Sequence, residues 1–70
     1  MDTKQKFKIT LSLEGNRETK LWSGTCTQEE YDRKLDEEIK VQLSKYNADH
    51  KRRILRAYDE TGRIIAHETF

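Results

Sequence analysis

Residues 51–70 read KRRILRAYDETGRIIAHETF, and they predict a β-hairpin. β-Branched and aromatic residues cluster over residues 52–58 and 63–69, on either side of a turn formed by residues 59–62. Gly62 suits the left-handed position that follows a type I turn in a three-residue loop with a bulge. The hairpin therefore fixes two of the strands of the predicted fold.

This predicted hairpin is apolar on both of its faces. Its loop would pair Tyr58 with Ile64 and Ala57 with Ile65. One face then holds Leu55, Ala57 and Ile65, and the other holds Ile54, Tyr58, Ile64, Ala66 and Phe70. A chain of 70 residues has enough structure to cover only one of these faces. The uncovered face is a candidate binding surface.

The first third of the chain predicts a second pair of strands. Residues 7–13 alternate strictly between apolar and polar side chains, which indicates a half-buried strand. Residues 18–25 predict its partner, with Gly24 weakening or ending it. Leu21 and Trp22 are neighbours in this strand, so they should point to opposite faces of the sheet.

A helix is predicted between the two pairs of strands. Thr27 and Glu30 form the pattern of a capping box, in which each side chain accepts a hydrogen bond from the other residue's backbone amide. A single apolar stripe facing the sheet is predicted from Tyr31, Leu35, Ile39, Leu43 and Tyr46. Val41 lies off this stripe, and Asn47 is the expected left-handed stop.

The predicted fold is α+β: a four-stranded antiparallel sheet in ββαββ order with one amphipathic helix packed on one face. Residues 1–70 form one small domain, with residues 1–5 as a flexible tail. The strand order is not defined by the sequence. Alternatives are a three-stranded sheet with a weak second strand, or a sheet completed by another subunit.

Composition limits the classes of function. The net charge is only +1, which gives no overall attraction to nucleic acid or membrane. No apolar run approaches the ~20 residues of a membrane helix, and the polar N-terminus does not have the pattern of a secretory signal. The single cysteine, Cys26, fits a reducing compartment. We expect a cytoplasmic protein with no membrane partner.

Catalysis and metal binding find little support. Cys26 precedes the predicted helix, but neither His50 nor His67 forms a motif with it, and no glycine-rich loop offers an oxyanion hole. One cysteine and two histidines without paired spacing do not make a zinc framework. Isolated glycines give no nucleotide-binding fingerprint. We therefore expect no enzyme activity, no catalytic residues, no metal, no cofactor and no small-molecule substrate.

Binding remains, and two surfaces compete for it. The uncovered sheet face predicts contact with another protein or with a second copy in a homodimer; its candidate residues are Trp22, Ile54, Arg56, Tyr58, Ile64 and Phe70. The alternative is a nucleic-acid interface, because cations beside aromatic rings on a sheet suit single strands; its candidates are Lys6, Lys8, Arg52, Arg53 and Arg56. The acidic outer face of the helix is a further candidate for a basic partner.

In size, charge content and predicted architecture the chain resembles compact phage or mobile-element proteins, such as inhibitors of the anti-CRISPR type. The resemblance is to their architecture, since no sequence motif carries it. It implies a small viral inhibitor that occludes a larger complex.

Overall fold

The computed structural model describes residues 3–70, which form five elements of secondary structure. The strands are β1 (Gln5–Leu13), β2 (Thr19–Cys26), β3 (Arg53–Tyr58) and β4 (Ile64–Thr69); the helix α1 (Gln28–Asp49) connects β2 to β3. The strands form one antiparallel sheet in the order β2-β1-β3-β4. The predicted α+β fold in ββαββ order is confirmed. The strand order, which the sequence left open, places β1 and β3 at the centre.

The N-terminal strand is longer than the alternation predicts. β1 begins at Gln5, inside the predicted tail of residues 1–5. Thr3 and Lys4 have no regular secondary structure, and residues 1 and 2 lie outside the described residues. Because Gln5 pairs with Cys26 at the far end of β2, both strands of this hairpin extend to the start of the helix.

The core lies between α1 and one face of the sheet. Ile9 pairs with Ala57 across the two central strands, and both side chains are fully buried. Tyr31 of the helix stacks on Phe7 of β1, with ring centroids 4.3 Å apart. Stacked aromatic pairs stabilise by more than their buried area alone. The buried hydrophobic residues are Phe7, Ile9, Cys26, Tyr31, Leu55 and Ala57.

The start of the helix follows the prediction, and its end does not. Thr27 Oγ1 accepts a hydrogen bond from the Glu30 amide, and Glu30 Oε1 accepts one from the Thr27 amide, each at 3.2 Å. The capping box is therefore confirmed. The helix continues past Asn47 to Asp49, and His50 takes the left-handed position with φ 57°. Arg53 holds the Asp49 carboxylate at 2.8 Å, which fixes the last turn in place.

Tyr31, Leu35 and Ile39 face the core as predicted, but further along the helix Gln42 takes the buried position expected for Leu43. Gln42 is 2% exposed, whereas Leu43 is 48% exposed. Successive helix residues turn by about 100°, so a helix that faces the sheet with Gln42 turns Leu43 towards its flank. The prediction that Leu43 packs on the sheet is therefore wrong. Val41 is exposed, as predicted.

The C-terminal hairpin has the predicted turn but a different register beyond it. Gly62 has φ 88°, and its amide donates to the Asp59 carbonyl at 3.1 Å. Tyr58 pairs with Ile64 as predicted, but Ala57 then pairs with Ala66, which leaves Ile65 as the extra residue of a bulge. In this register the observed partners are Ala57 with Ala66 and Arg56 with His67. The placement of Ile65 in the core and of Ala66 on the uncovered face is thus wrong.

Candidate interaction surface

The side of the sheet opposite α1, which we call the open face, carries the candidate surface. On β3, Ile54, Arg56 and Tyr58 alternate with buried Leu55 and Ala57, so their side chains point away from the helix. The pairing of Tyr58 with Ile64 brings the start of β4 onto the same face. Four of the six predicted partner-binding residues therefore share one side of the sheet.

The other two predicted residues lie on the helix side. Trp22 pairs with Ile9 and packs against the buried core, and Phe70 packs against it from the end of β4. Trp22 is turned inward because Leu21 forms the extra residue of a bulge between Lys20 and Trp22. Their assignment to the open face is wrong, since strand register and not apolar character decides the side.

A glutamate that the sequence did not single out organises the open face. Glu18 lies in the connection before β2 and reaches across β1 to β3. Its Oε1 accepts hydrogen bonds from Arg56 Nη1 at 2.8 Å and from the Tyr58 hydroxyl at 2.6 Å. These bonds lower the pKa of Glu18, Tyr58 contributing most, and the same contact raises the pKa of Tyr58. Hydrogen bonds to a charged group are the stronger kind.

The connection between β1 and β2 also covers part of the open face. Thr10 and Ser12 point to this side of β1, yet they are only 4% and 6% exposed. Ser12 Oγ donates a hydrogen bond to the Asn16 carbonyl, which ties the connection to the strand. The apolar area left on β3 and β4 comes from half-buried Ile54 and from Ile64, which is 51% exposed. Ile65, the bulge residue beside it, is 41% exposed.

A groove borders this area at the end of the sheet where β1 begins. It has a volume of about 430 Å³. Lys6 and Lys8 line it together with the Tyr58 ring and the β2 residues Ser23 and Thr25. The Lys8 ammonium lies 4.9 Å from the centroid of the Tyr58 ring, within the range of a cation–π contact. Its other lining residues are Phe7, Gly24, Asp59, Glu60 and Gly62.

The five basic residues of the predicted nucleic-acid interface are not equally available. Arg53 is 5% exposed and bonds both oxygens of Asp49 at 2.8 Å, so it is not free to contact a phosphate. This ion pair lowers the pKa of the Asp49 carboxyl. The Asp49 side chain remains 37% exposed to water. Arg56 bonds Glu18. Of these five, Lys6, Lys8 and Arg52 are exposed and form no ion pair with a described residue.

Cys26 does not have the surroundings of a nucleophile. Its side chain is buried, and burial raises the pKa of the thiol, with the nearby Glu30 carboxylate adding to the effect. A reactive cysteine needs the opposite shift. His50 caps the far end of a 22-residue helix, about 33 Å away at 1.5 Å per residue. In residues 3–70 no three acidic, histidine or cysteine side chains are grouped as metal ligands.

The helix has more acidic than basic residues. The helix carries seven acidic and four basic residues, and the acidic ones include Glu29, Asp32, Asp36 and Glu37, all exposed. An ion pair between Asp36 and Lys40, 3.0 Å apart, partly neutralises this surface.

No helix in the described part of the chain is long and apolar enough to cross a membrane.

Comparison with known proteins gave no match to a protein-family model, a curated protein or a solved structure. The geometry of the open face is therefore the basis for the function proposed below.

Proposed function

We propose that this protein is a non-enzymatic binding module that contacts another protein through the open face. The contact residues are Ile54, Arg56, Tyr58 and Ile64. The observation that carries the proposal is the exposure of Ile64, 51%, beside Tyr58 on a sheet face that α1 does not cover. An exposed isoleucine and a half-buried one beside an aromatic ring and an arginine have the composition of protein interfaces.

The type of partner follows from this composition. A face that combines apolar side chains with Arg56 and Tyr58 suits a protein surface, because protein interfaces combine apolar packing with hydrogen bonds. Two forms of this function are consistent with it: a small inhibitor that covers a site on a larger complex, and a homodimer through two open faces. Neither requires a cofactor.

Affinity capture with single-residue variants tests the proposal. The wild-type chain, Ile64→Ser and Val41→Ser are used as bait, and partners are identified by mass spectrometry. Val41 is a matched control because it is 45% exposed but lies on the helix, away from the open face. We expect Ile64→Ser to lose the partner and Val41→Ser to keep it, with both variants retaining wild-type helix content by circular dichroism.

Two results would contradict the proposal. If Val41→Ser loses the partner and Ile64→Ser keeps it, the helix surface is the interface. If the wild-type chain captures nothing and also sediments as a monomer at high concentration, the open face has neither a partner nor a second copy. A concentration-dependent dimer that Ile64→Ser abolishes would identify the homodimer form.

Nucleic-acid binding is the second candidate, favoured by the position of Lys8 over the Tyr58 ring. Lys6 and Arg52 would add further phosphate contacts. Such binding should weaken steeply with salt, because phosphate-bound counterions are released. Binding of oligonucleotides that is absent, or that does not change with salt, would eliminate this candidate.

We further propose a cytoplasmic location. Cys26 is the chain's single cysteine and is free and buried, which suits a protein kept in a reducing compartment.

A further inference from the structure

The Glu18 carboxylate is bound by β3 in the way that an external carboxylate ligand would be. One carboxylate oxygen accepts from a guanidinium and from a phenol, at 2.8 Å and 2.6 Å. The donors are 38 and 40 residues away in the sequence, so this contact is not part of a local turn or cap. A guanidinium with a second donor is a common way to recognise a carboxylate.

Lys6 and Lys8 favour a negatively charged occupant on the β1 side of the groove, whereas Asp59 and Glu60 line it on the side of the turn between β3 and β4. The Lys8 ammonium lies over the Tyr58 ring, 4.9 Å from its centroid, and Lys6 lines the same groove. Among residues 3–70 neither lysine has a carboxylate within ion-pair distance. The hydroxyls of Ser23 and Thr25 line the same groove and can donate hydrogen bonds. An extended segment that places its carboxylates over β1, beside Lys6 and Lys8, would complement these positive charges.

The carboxylate of Glu18 is also replaceable. Its side chain is 37% exposed and that of Arg56 is 25% exposed, so water reaches both partners. Ion pairs with this exposure contribute little to folding stability, because water competes for the same donors. A carboxylate from another chain could therefore take the position of Glu18 without unfolding the sheet.

We propose that Arg56, Tyr58 and Lys8 form a carboxylate-recognition site that Glu18 occupies in the free protein and that an acidic peptide segment occupies in the complex. The inference rests on the proposed function of the open face and names the chemistry of its partner. Glu18 then acts as an internal competitor that weakens binding to weakly acidic segments. Ile64 and Ile54 lie beside the site and would contact apolar residues of the same segment.

Fluorescence anisotropy with a labelled hexaglutamate peptide tests the site. Hexaglutamine of the same length and a dodecamer of deoxythymidine serve as uncharged and nucleic-acid probes. We expect the wild-type chain to bind hexaglutamate and neither other probe. Glu18→Gln should tighten this binding by about fivefold, the size expected when an exposed ion pair no longer competes. Tyr58→Phe, which keeps the ring under Lys8 but removes the hydroxyl, should weaken it by a similar factor.

Glu14→Gln is the matched control, because it removes one negative charge from a turn that does not touch the groove. It should change the affinity by less than about twofold, and circular dichroism should show that all three variants keep the wild-type fold. An equal gain in Glu14→Gln and Glu18→Gln would mean that general charge and not a site is responsible. Failure of every variant to bind hexaglutamate, or tight binding of the thymidine probe, would overturn the inference.

These outcomes separate the inference from the proposed function. If Ile64→Ser abolishes capture of a protein partner while no variant binds hexaglutamate, the open face is an interface whose partner is not acidic. If Ile64→Ser has no effect on capture, the proposed function itself fails.

Discussion

Two single variants, Gln42→Leu and Leu43→Gln, test which of these residues faces the sheet. Gln42 is 2% exposed, and its Oε1 has no hydrogen-bond partner among the described residues. Leu43, the next residue, is 48% exposed. A buried polar atom without a partner loses its hydration without compensation. Gln42→Leu should therefore stabilise the fold, and Leu43→Gln should have little effect.

The expected magnitudes follow from burial. An unsatisfied buried acceptor costs about 1–3 kcal/mol, and leucine has nearly the volume of glutamine, so Gln42→Leu should recover most of that amount. With an m-value of about 1 kcal/mol/M for a chain of this size, the urea midpoint should rise by roughly 1–3 M. Leu43→Gln changes a half-exposed position and should shift the free energy of unfolding by no more than about 0.5 kcal/mol.

Urea denaturation followed by ellipticity at 222 nm and by Trp22 fluorescence measures both variants. The two signals should give coincident transitions if unfolding is two-state. Repeating the measurement at several protein concentrations controls for self-association, which would move the midpoint with concentration. If Leu43→Gln costs more than about 1.5 kcal/mol and Gln42→Leu gives no gain, then Leu43 and not Gln42 faces the sheet.

Three further predictions concern the cap, a close contact and acid stability. Thr27→Ala should cost about 1 kcal/mol in urea denaturation, because the amide of Glu30 loses its acceptor; an unchanged midpoint would mean that the cap contributes nothing. Gly24→Ala places a Cβ 3.2 Å from the Trp22 ring and should shift Trp22 fluorescence as the ring moves, whereas an unshifted spectrum would show that the ring already has room. Glu18 and Glu30 have pKa values below their ordinary 4.5, so their stabilisation is complete above that pH and is lost as the pH falls through the lowered values. The urea midpoint should fall on acidification below about pH 4.5, and Glu18→Gln should remove only a small part of this fall because its ion pair is exposed; a midpoint independent of pH would refute this assignment.

Local patterns predicted the elements of this fold well. Alternation over residues 7–13, the capping box at Thr27 and the turn glycine at Gly62 each depend on interactions within a few residues. Such interactions involve only residues that are close in the chain, so they can be recognised from the sequence. The bounds of the four strands accordingly lie within two residues of their predicted positions.

Bulges explain why the predicted side-chain directions failed at the edges. In a strand, one inserted residue moves every later side chain to the other face. The bulge at Ile65 brought Ala66 to the helix side, and the bulge at Leu21 is followed by Trp22 facing the core. Neither bulge has a glycine or another clear sequence signal at the inserted position. The central strands have no such insertion between them, and there the alternation gave the right sides for Ile9 and Leu55.

The contact made by Glu18 shows why the occupant of the open face could not be predicted, although part of that face could. Arg56 and Tyr58 are two residues apart on β3, so alternation alone places them on the same side. Glu18 reaches them because β1 pairs with both β2 and β3, so that the connection before β2 lies one strand away from β3. That order depends on packing over the whole chain and not on any local pattern. A carboxylate that crosses a central strand to reach two donors fills a position that an external carboxylate could also fill, and for this reason Glu18→Gln tests the binding chemistry of the open face more directly than removal of any apolar residue.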